Sequence, residues 1–443
     1  MKTPPPITTT DSNDSERSPW ASRWMLDPSI DFLNHGSFGA CPTAVLEIQQ
    51  HWRERLEREP VAFMLRELEG QLDAARASVA ALLRADSDDL AFISNATTGV
   101  STVLRSLDFA RGDEILTTDH TYAACRNALD ANATRAGATV VTARVPFPLC
   151  NSDEVVDAVL ACVTPRTRLA LLDHVTSTTG LVWPVERLVR ALAERGVDAL
   201  IDGAHAPGMI PVDLGSLGAA YYTANCHKWL CAPKGAAILH VRRDRQARVR
   251  PLVISHGAAS PRRDRSRFRL EFDWTGTIDP SAWLCVPDAI QFLEGLLPGG
   301  LAALRDRNRA MALGARDVMA KALGVKAPAP DEMIGALATL PLPEATGEGQ
   351  FPLHIDPLQD ALFAQHRIEV PVFCWGPPRH RWIRVAAQAY NSDAQYRRLA
   401  AALVDLLRHE AAQPALRRTT LESTAILTSM EALTGSSGSA KTS

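Results

Sequence analysis

Between about residue 86 and residue 241 the chain alternates short, β-rich apolar runs with longer segments of helical length. The runs are Asp89–Ser94, Glu114–Thr118, Thr139–Ala143, Leu169–Val175, Ala199–Asp202, Ala219–Thr223 and Ala236–Val241. Helices are predicted between several of them, at Thr98–Leu107, Tyr122–Ala136, Ser152–Ala161 and Val185–Arg195. These connections are too long for tight hairpins. The pattern therefore predicts α/β crossovers around a mostly parallel central sheet, a three-layer αβα arrangement. The Trp229–Gly235 connection is short enough to permit one antiparallel partner at the end of the series.

Further along, the texture changes. Helices are predicted at Trp283–Leu297 and Leu301–Ala322. A shorter α+β stretch follows, through Phe351–Ile355, a helix near Leu358–Gln365, Ile368–Phe373, Trp382–Ala386 and a last helix at Ala394–Arg408. The expected organisation is a large unit over residues 60–289 and a smaller α+β C-terminal unit over 290–415, with 21–59 contributing to the small unit. Residues 1–20 and 416–443, rich in small and polar residues, are expected to be flexible tails.

Composition narrows the function classes. The 443 residues are 46% hydrophobic, ample for a core. Basic and acidic residues nearly balance, 47 against 50, so nothing advertises a nucleic-acid partner. No run of 18 apolar residues suggests a membrane span, and the N-terminus lacks the order of a secretory signal. The eight cysteines are scattered and no pair has metal-ligand spacing, so reduced thiols, no metal and a cytoplasmic location are expected.

The candidate chemistry starts at Asp202, which ends an apolar run, and Lys228, which follows 26 residues later behind a second run. A carboxylate and an amine at neighbouring strand ends suit pyridoxal 5′-phosphate. The amine forms a Schiff base with the aldehyde, and the carboxylate keeps the pyridine nitrogen protonated. One such pair shows little; other motifs converge on it. Asn95-Ala-Thr-Thr-Gly99 lies at a strand-to-helix junction, where backbone N–H groups and the hydroxyls of Thr97 and Thr98 can meet a phosphate; an ordinary helix cap uses the same residues. Asp119-His-Thr-Tyr122 offers two rings for stacking on the pyridine, His120 and Tyr122, and the sequence does not choose between them. His174, Thr176 and Ser177 close another run and can hydrogen-bond cofactor or substrate; a structural role for Asp173 or His174 is the alternative. His205 lies in the turn after Asp202, and His227, in Asn225-Cys-His-Lys228, can reach a phosphate.

Taken in order, these motifs resemble those of class V aminotransferases of fold-type I, in the subgroup similar to isopenicillin N epimerase. Residues 31–39, Asp-Phe-Leu-Asn-His-Gly-Ser-Phe-Gly, match that subgroup's entrance motif. Asn95–Gly99, Asp173–Gly180, Asp202–Gly208, Asn225–Lys228, Trp274–Thr277 and Arg384–Asn391 match the successive motifs, and the similarity spans roughly residues 25–410. The resemblance implies the fold of pyridoxal phosphate transferases, with Lys228 attached to the cofactor and Asp202 at its ring nitrogen. It implies that Thr97, Thr98 and His227 hold phosphate, that Asn225, His174, Ser177 and His205 line the cofactor, and that Thr277 reaches the neighbouring subunit's phosphate. Arg384 would bind the substrate carboxylate, with Asn34 and His35 also at the substrate, in a homodimer with composite sites.

The reaction is less determined. Racemisation or epimerisation of an amino acid is the nearest family reading; C–S lyase chemistry on a sulfur-containing amino acid and transamination are the alternatives. Cysteine desulfurases need a nucleophilic thiol on a loop before the carboxylate-binding arginine. Cys374 precedes Arg384 by ten residues, but Val370-Pro-Val-Phe-Cys-Trp375 reads as a strand and departs from the desulfurase pattern. A non-catalytic binding protein is opposed by the complete set of cofactor motifs.

Overall fold

A computed structural model describes residues 17–344, 355–376 and 378–412. After a two-residue strand, β1 (Asp31–Phe32), the chain builds its large sheet from β2 (Leu90–Ile93), β3 (Glu114–Thr118), β4 (Thr139–Ala143), β5 (Thr167–Asp173), β6 (Asp198–Asp202), β7 (Tyr221–Asn225) and β8 (Ala237–Val241). The spatial order is β2-β8-β7-β6-β5-β3-β4. Only β8 runs against its neighbours, β2 and β7; the β7–β6–β5–β3–β4 pairs are all parallel. That is the one reversal the short 229–235 connection allowed. The mostly parallel α/β expectation holds.

Two separate cores show why three layers form. Along β5, Leu169 and Leu171 pack with Val100, Leu104 and Leu129 of the helices Ala96–Ser106 and Ala123–Ala136. Ala170 and Leu172 face the other way, toward Val155, Leu188 and Leu192 of Asp153–Leu160 and Val185–Ala193. A strand buried on both faces needs apolar side chains at every position, and β5 supplies them from Leu169 to Leu172. Each fully buried leucine contributes about 1.5–3 kcal/mol relative to exposure.

The smaller unit carries an antiparallel sheet of order β11-β12-β9, with β9 (Leu337–Leu342), β11 (Val372–Trp375) and β12 (His380–Ala386). β10 (Ile368–Glu369) instead pairs in parallel with β1. The predicted single run over 368–373 is thus two strands, divided at Val370-Pro371, because proline has no N–H for a ladder. Strand β9 had no counterpart among the predicted elements, nor did the helices Thr43–Arg58 and Leu68–Leu83. The run predicted at 351–355 lies outside the described residues except for Ile355. Two long helices, Gly300–Leu323 and Asp393–Ala412, pack beside the small sheet. No helix among the described residues is long and apolar enough to cross a membrane.

Candidate active site

Parallel strands bring their carboxyl ends to one edge of a sheet, where ligands of α/β folds bind. The carboxyl ends of β2, β5, β6 and β7 carry Ser94-Asn95, Asp173-His174, Asp202 and Asn225 to that edge. Asn225 ties two of these ends together, its Oδ1 accepting from the Ala96 N–H at 2.8 Å. Asn95 is the cap of the helix that follows: its Oδ1 accepts from the Thr98 N–H (2.8 Å) and lies 3.1 Å from the Thr98 hydroxyl. Thr98 is therefore engaged with its own cap, while half-buried Thr97 hydrogen-bonds toward Cys125.

Two glycines let the chain close around Lys228. At Gly39 (φ +70°) an added Cβ would lie 2.1 Å from the His227 carbonyl oxygen; at Gly208 (φ +91°) it would lie 2.4 Å from the Trp229 carbonyl. No other residue type fits either place. His35 holds the same segment from behind. Its ring is fully buried, with Nε2 donating to the Lys228 carbonyl at 3.0 Å and Nδ1 2.8 Å from the Tyr390 hydroxyl. Both its nitrogens are committed to protein, and the ring sits against the backbone of Lys228. Asn34 is likewise engaged, donating to Glu369 (3.2 Å) and accepting from the Ser37 hydroxyl (2.6 Å).

The Lys228 amine lies 3.1 Å from His205 Nε2, and the Trp229 indole donates to His205 Nδ1 at 3.2 Å. Burial, with the Arg384 charge next in weight, pushes the lysine down to about 8. Asp202 is buried; its Oδ1 accepts from the Ala204 N–H (3.0 Å) and its Oδ2 from the Cys125 thiol (3.2 Å). Burial raises its carboxyl. Asp173 sits opposite it in the β5–β6 register, and burial followed by the Asp202 charge pushes Asp173 well above the carboxylate range. One oxygen of Asp173 has no hydrogen-bond partner.

Arg384, on β12, reaches the same edge from the small unit. Among the described residues its guanidinium meets the Ser177 carbonyl and the Ser37 hydroxyl (3.3 Å), its Nε is unpartnered, and no carboxylate is among its hydrogen-bond or ion-pair partners. Burial lowers it to about 10. Gly36 packs beside it: an added Cβ would lie 2.9 Å from Leu337 Cδ2, and 3.5 Å, an ordinary contact, from the guanidinium.

The two candidate rings separate. His120 is fully buried, with Nδ1 2.9 Å from the Thr179 hydroxyl and Nε2 donating to the Val145 carbonyl at 3.2 Å; Trp375 lies edge-on at 4.5 Å. It is turned into the protein rather than toward the site. Tyr122 is 45% exposed, and its hydroxyl feels the charges of Asp202 and Arg384. His174 meets the Tyr222 hydroxyl through Nδ1 (2.9 Å). Ser177 contributes its carbonyl to Arg384. His227 donates Nδ1–H to the Ala236 carbonyl (2.9 Å), so it can donate to an anion only as imidazolium; burial lowers it to about 4. Thr277 is exposed. Cys374 lies in β11 opposite Arg381, its thiol raised by burial. Trp229, Cys125 and Ser37 received no role from the sequence. Ser37, Gln388 and Tyr390 do lie within the quoted motifs, so their signal was present but unassigned.

These groups are a desolvated amine, a buried carboxylate and a buried guanidinium without an anion. They fit a ligand with an aldehyde, a basic ring nitrogen and an amino-acid partner. A model of the aminotransferase class-V family matches residues 42–341. The chain belongs to the class V aminotransferase family. It is 37% identical over 395 residues to an isopenicillin N epimerase of Amycolatopsis lactamdurans, covering 86% of this chain and 96% of that protein. It is 31% identical over 403 residues to a protein of Arabidopsis thaliana named "Probable L-cysteine desulfhydrase, chloroplastic", covering 86% and 84%. Among solved structures, the cystine C–S lyase C-DES in complex with its product cysteine persulfide superposes with a TM-score of 0.70 at 22% identity, covering 85% of this chain and 98% of that one. The likeness to that structure is one of fold. Like its family, this class V member is a pyridoxal phosphate-dependent enzyme.

Proposed function

We propose that this enzyme is a C–S lyase, removing the α-proton of a sulfur-containing amino acid and releasing its sulfur substituent. The observation that carries an amino-acid substrate is Arg384, a buried fork of donors with no carboxylate, beside the Lys228 amine. Cysteine desulfhydrase names recur among the relatives, which supports elimination. Cys374 supports it too: held in a strand with a raised thiol, it is not set as a sulfur-accepting nucleophile, so sulfur leaves without passing to the protein.

When bound, pyridoxal phosphate supplies an aldehyde for covalent attachment and a ring that accepts electrons from the substrate α-carbon. Lys228 is the attachment point and then takes the α-proton at Nζ. Asp202 keeps the ring nitrogen protonated, which its buried setting permits only with a cation opposite it. Tyr122, the exposed ring of its turn, would cover the ring of the bound cofactor. The first turn of Ala96–Ser106, with Thr97, Thr98 and His227, would hold the phosphate, and a dianion there would favour the imidazolium of His227. Arg384 binds the α-carboxylate and so orients the Cα–H bond. His174, Ser177, His205 and Asn225 frame these groups, with His35 and Asn34 behind them. The functional unit is a homodimer in which Thr277 serves the neighbouring subunit's phosphate. Its support is the exposure of Thr277 together with that of Met25 (73%) and Phe38 (75%).

Incubating the enzyme with an amino-acid panel, while following sulfide, keto acid, chirality and α-proton exchange, tests the reaction. Equal amounts of keto acid and sulfide are expected from cysteine, and of keto acid and cysteine persulfide from cystine; exchange with inversion and no released sulfur product would sink the lyase. Epimerisation is the second reading, favoured by the 37% identical relative. Lys228→Ala should abolish the absorbance of covalently attached cofactor, and its persistence would remove Lys228 from its role.

A further inference from the structure

We propose that Trp229 is a positioning residue that fixes the tautomer of His205, so that His205 presents an N–H, and never a lone pair, to Lys228. An indole nitrogen can only donate a hydrogen bond. The Trp229 Nε1–H points at His205 Nδ1 at 3.2 Å, so that nitrogen is bare. A neutral imidazole with Nδ1 bare carries its proton on Nε2, the atom 3.1 Å from Lys228 Nζ. The ring is 1% exposed, and burial holds it far below the range in which it would take a second proton. Trp229 is itself 1% exposed, packed 4.8 Å from His35, with its backbone seated against Gly208. Neither ring has room to turn.

The consequence is directional. His205 donates to the lone pair of the Lys228 amine, which favours the neutral amine and holds it in place until that bond is released for attack. When Lys228 gains a proton, its ammonium faces an N–H donor and is repelled. His205 is therefore not the base that relieves Lys228 of its proton; the proton goes back to the reacting molecule. The other groups facing Lys228 are Arg384 from β12, Asp202 from β6, Cys125 from the helix Ala123–Ala136, and His35 and His227. Of these only His35 packs on the Trp229 indole, with ring centroids 4.8 Å apart, and phenylalanine keeps an aromatic ring there while removing the N–H, so Trp229→Phe isolates the tautomer.

The inference rests on Lys228 being the cofactor-attachment residue, and two measurements on the full-length chain separate the two ideas. Neutron diffraction from deuterium-exchanged crystals, with and without cofactor, is expected to show a deuteron on His205 Nε2 and none on Nδ1. A deuteron on Nδ1, alone or together with Nε2, overturns the proposal. The second measurement is the rate at which cofactor-depleted enzyme captures added pyridoxal 5′-phosphate, followed by absorbance across pH. Trp229→Phe frees His205 to accept from the lysine ammonium, so the midpoint of the rate profile should rise by about one pH unit. An unmoved midpoint in folded Trp229→Phe overturns the proposal; should that variant not fold, the deuteron position in the native enzyme still decides. Capture that survives in Lys228→Ala would instead fail the attachment reading, leaving the deuteron result to judge the tautomer.

Discussion

Arg381 and Arg384 lie three residues apart on β12, on opposite faces of the strand, and both are buried, at 1% and 6% exposure. Arg381 is fully neutralised: Asp356 takes two of its nitrogens and Glu410 a third at 2.8 Å. Among the described residues Arg384 meets only a carbonyl and a hydroxyl. The same side chain on one strand is thus a structural brace on one face and an unmet charge on the other. A chain tolerates such a charge where a ligand completes it, which is why the partner list, more than burial, singles out Arg384 for the proposed role.

The comparison breaks most visibly at Arg381. Arg381→Met strands two carboxylates and is expected to lower unfolding free energy by about 3–5 kcal/mol in urea titrations. Its kcat/KM per folded enzyme should stay within a few-fold. Arg384→Lys should do the reverse. Loss of the bidentate fork is expected to reduce kcat/KM about 100-fold, mostly through substrate binding, with the urea midpoint unchanged or raised. Equal losses of stability from the two changes would erase the distinction.

A pH profile sharpens it. Cofactor capture by the native enzyme should rise about tenfold per unit up to a midpoint near 8 and then level, since only the neutral Lys228 amine attacks. Arg384 is the charged neighbour that most depresses Lys228, so Arg384→Met should move that midpoint upward, whereas Arg381→Met should leave it in place. The smallest effect is at Asp173, another buried charge without a full set of partners. Its folded carboxyl lies above the unfolded value, so the unfolded chain binds fewer protons between the two and native stability falls as pH rises through that window. Asp173→Asn should therefore gain about 1 kcal/mol at neutral pH, and the gain should vanish in acid below about pH 3.9.

Much of this was legible in the chain. β3 and β4 fall on the residues that hydrophobic runs marked, and the strand-end positions of Asp202 and Asn225 follow from strands buried on both faces. β9 was not legible: it carries Pro341, and its partner β12 lies about forty residues away. The site's finer contacts were hidden for the same reason. Cys125 meets Asp202 across 77 positions and Ser37 meets Arg384 across 347, separations no local pattern encodes. His120 and Tyr122 sit on one turn, and only packing decides which ring is swallowed and which stays open.

The two-residue ladder between β1 and β10, joined by the Ala386 N–H to Leu33 carbonyl bond at 2.9 Å, couples the 31–39 segment to the strand bearing Arg384. Gly39 at the end of that segment presses on His227 and Lys228. On the proposed reading, doorway and clamp are therefore one mechanical part, packed against the lysine. A lineage changing its substrate cannot retune the doorway alone: substitutions in residues 31–39 and on β12 should travel together, and a swap of one without the other between relatives should misalign both.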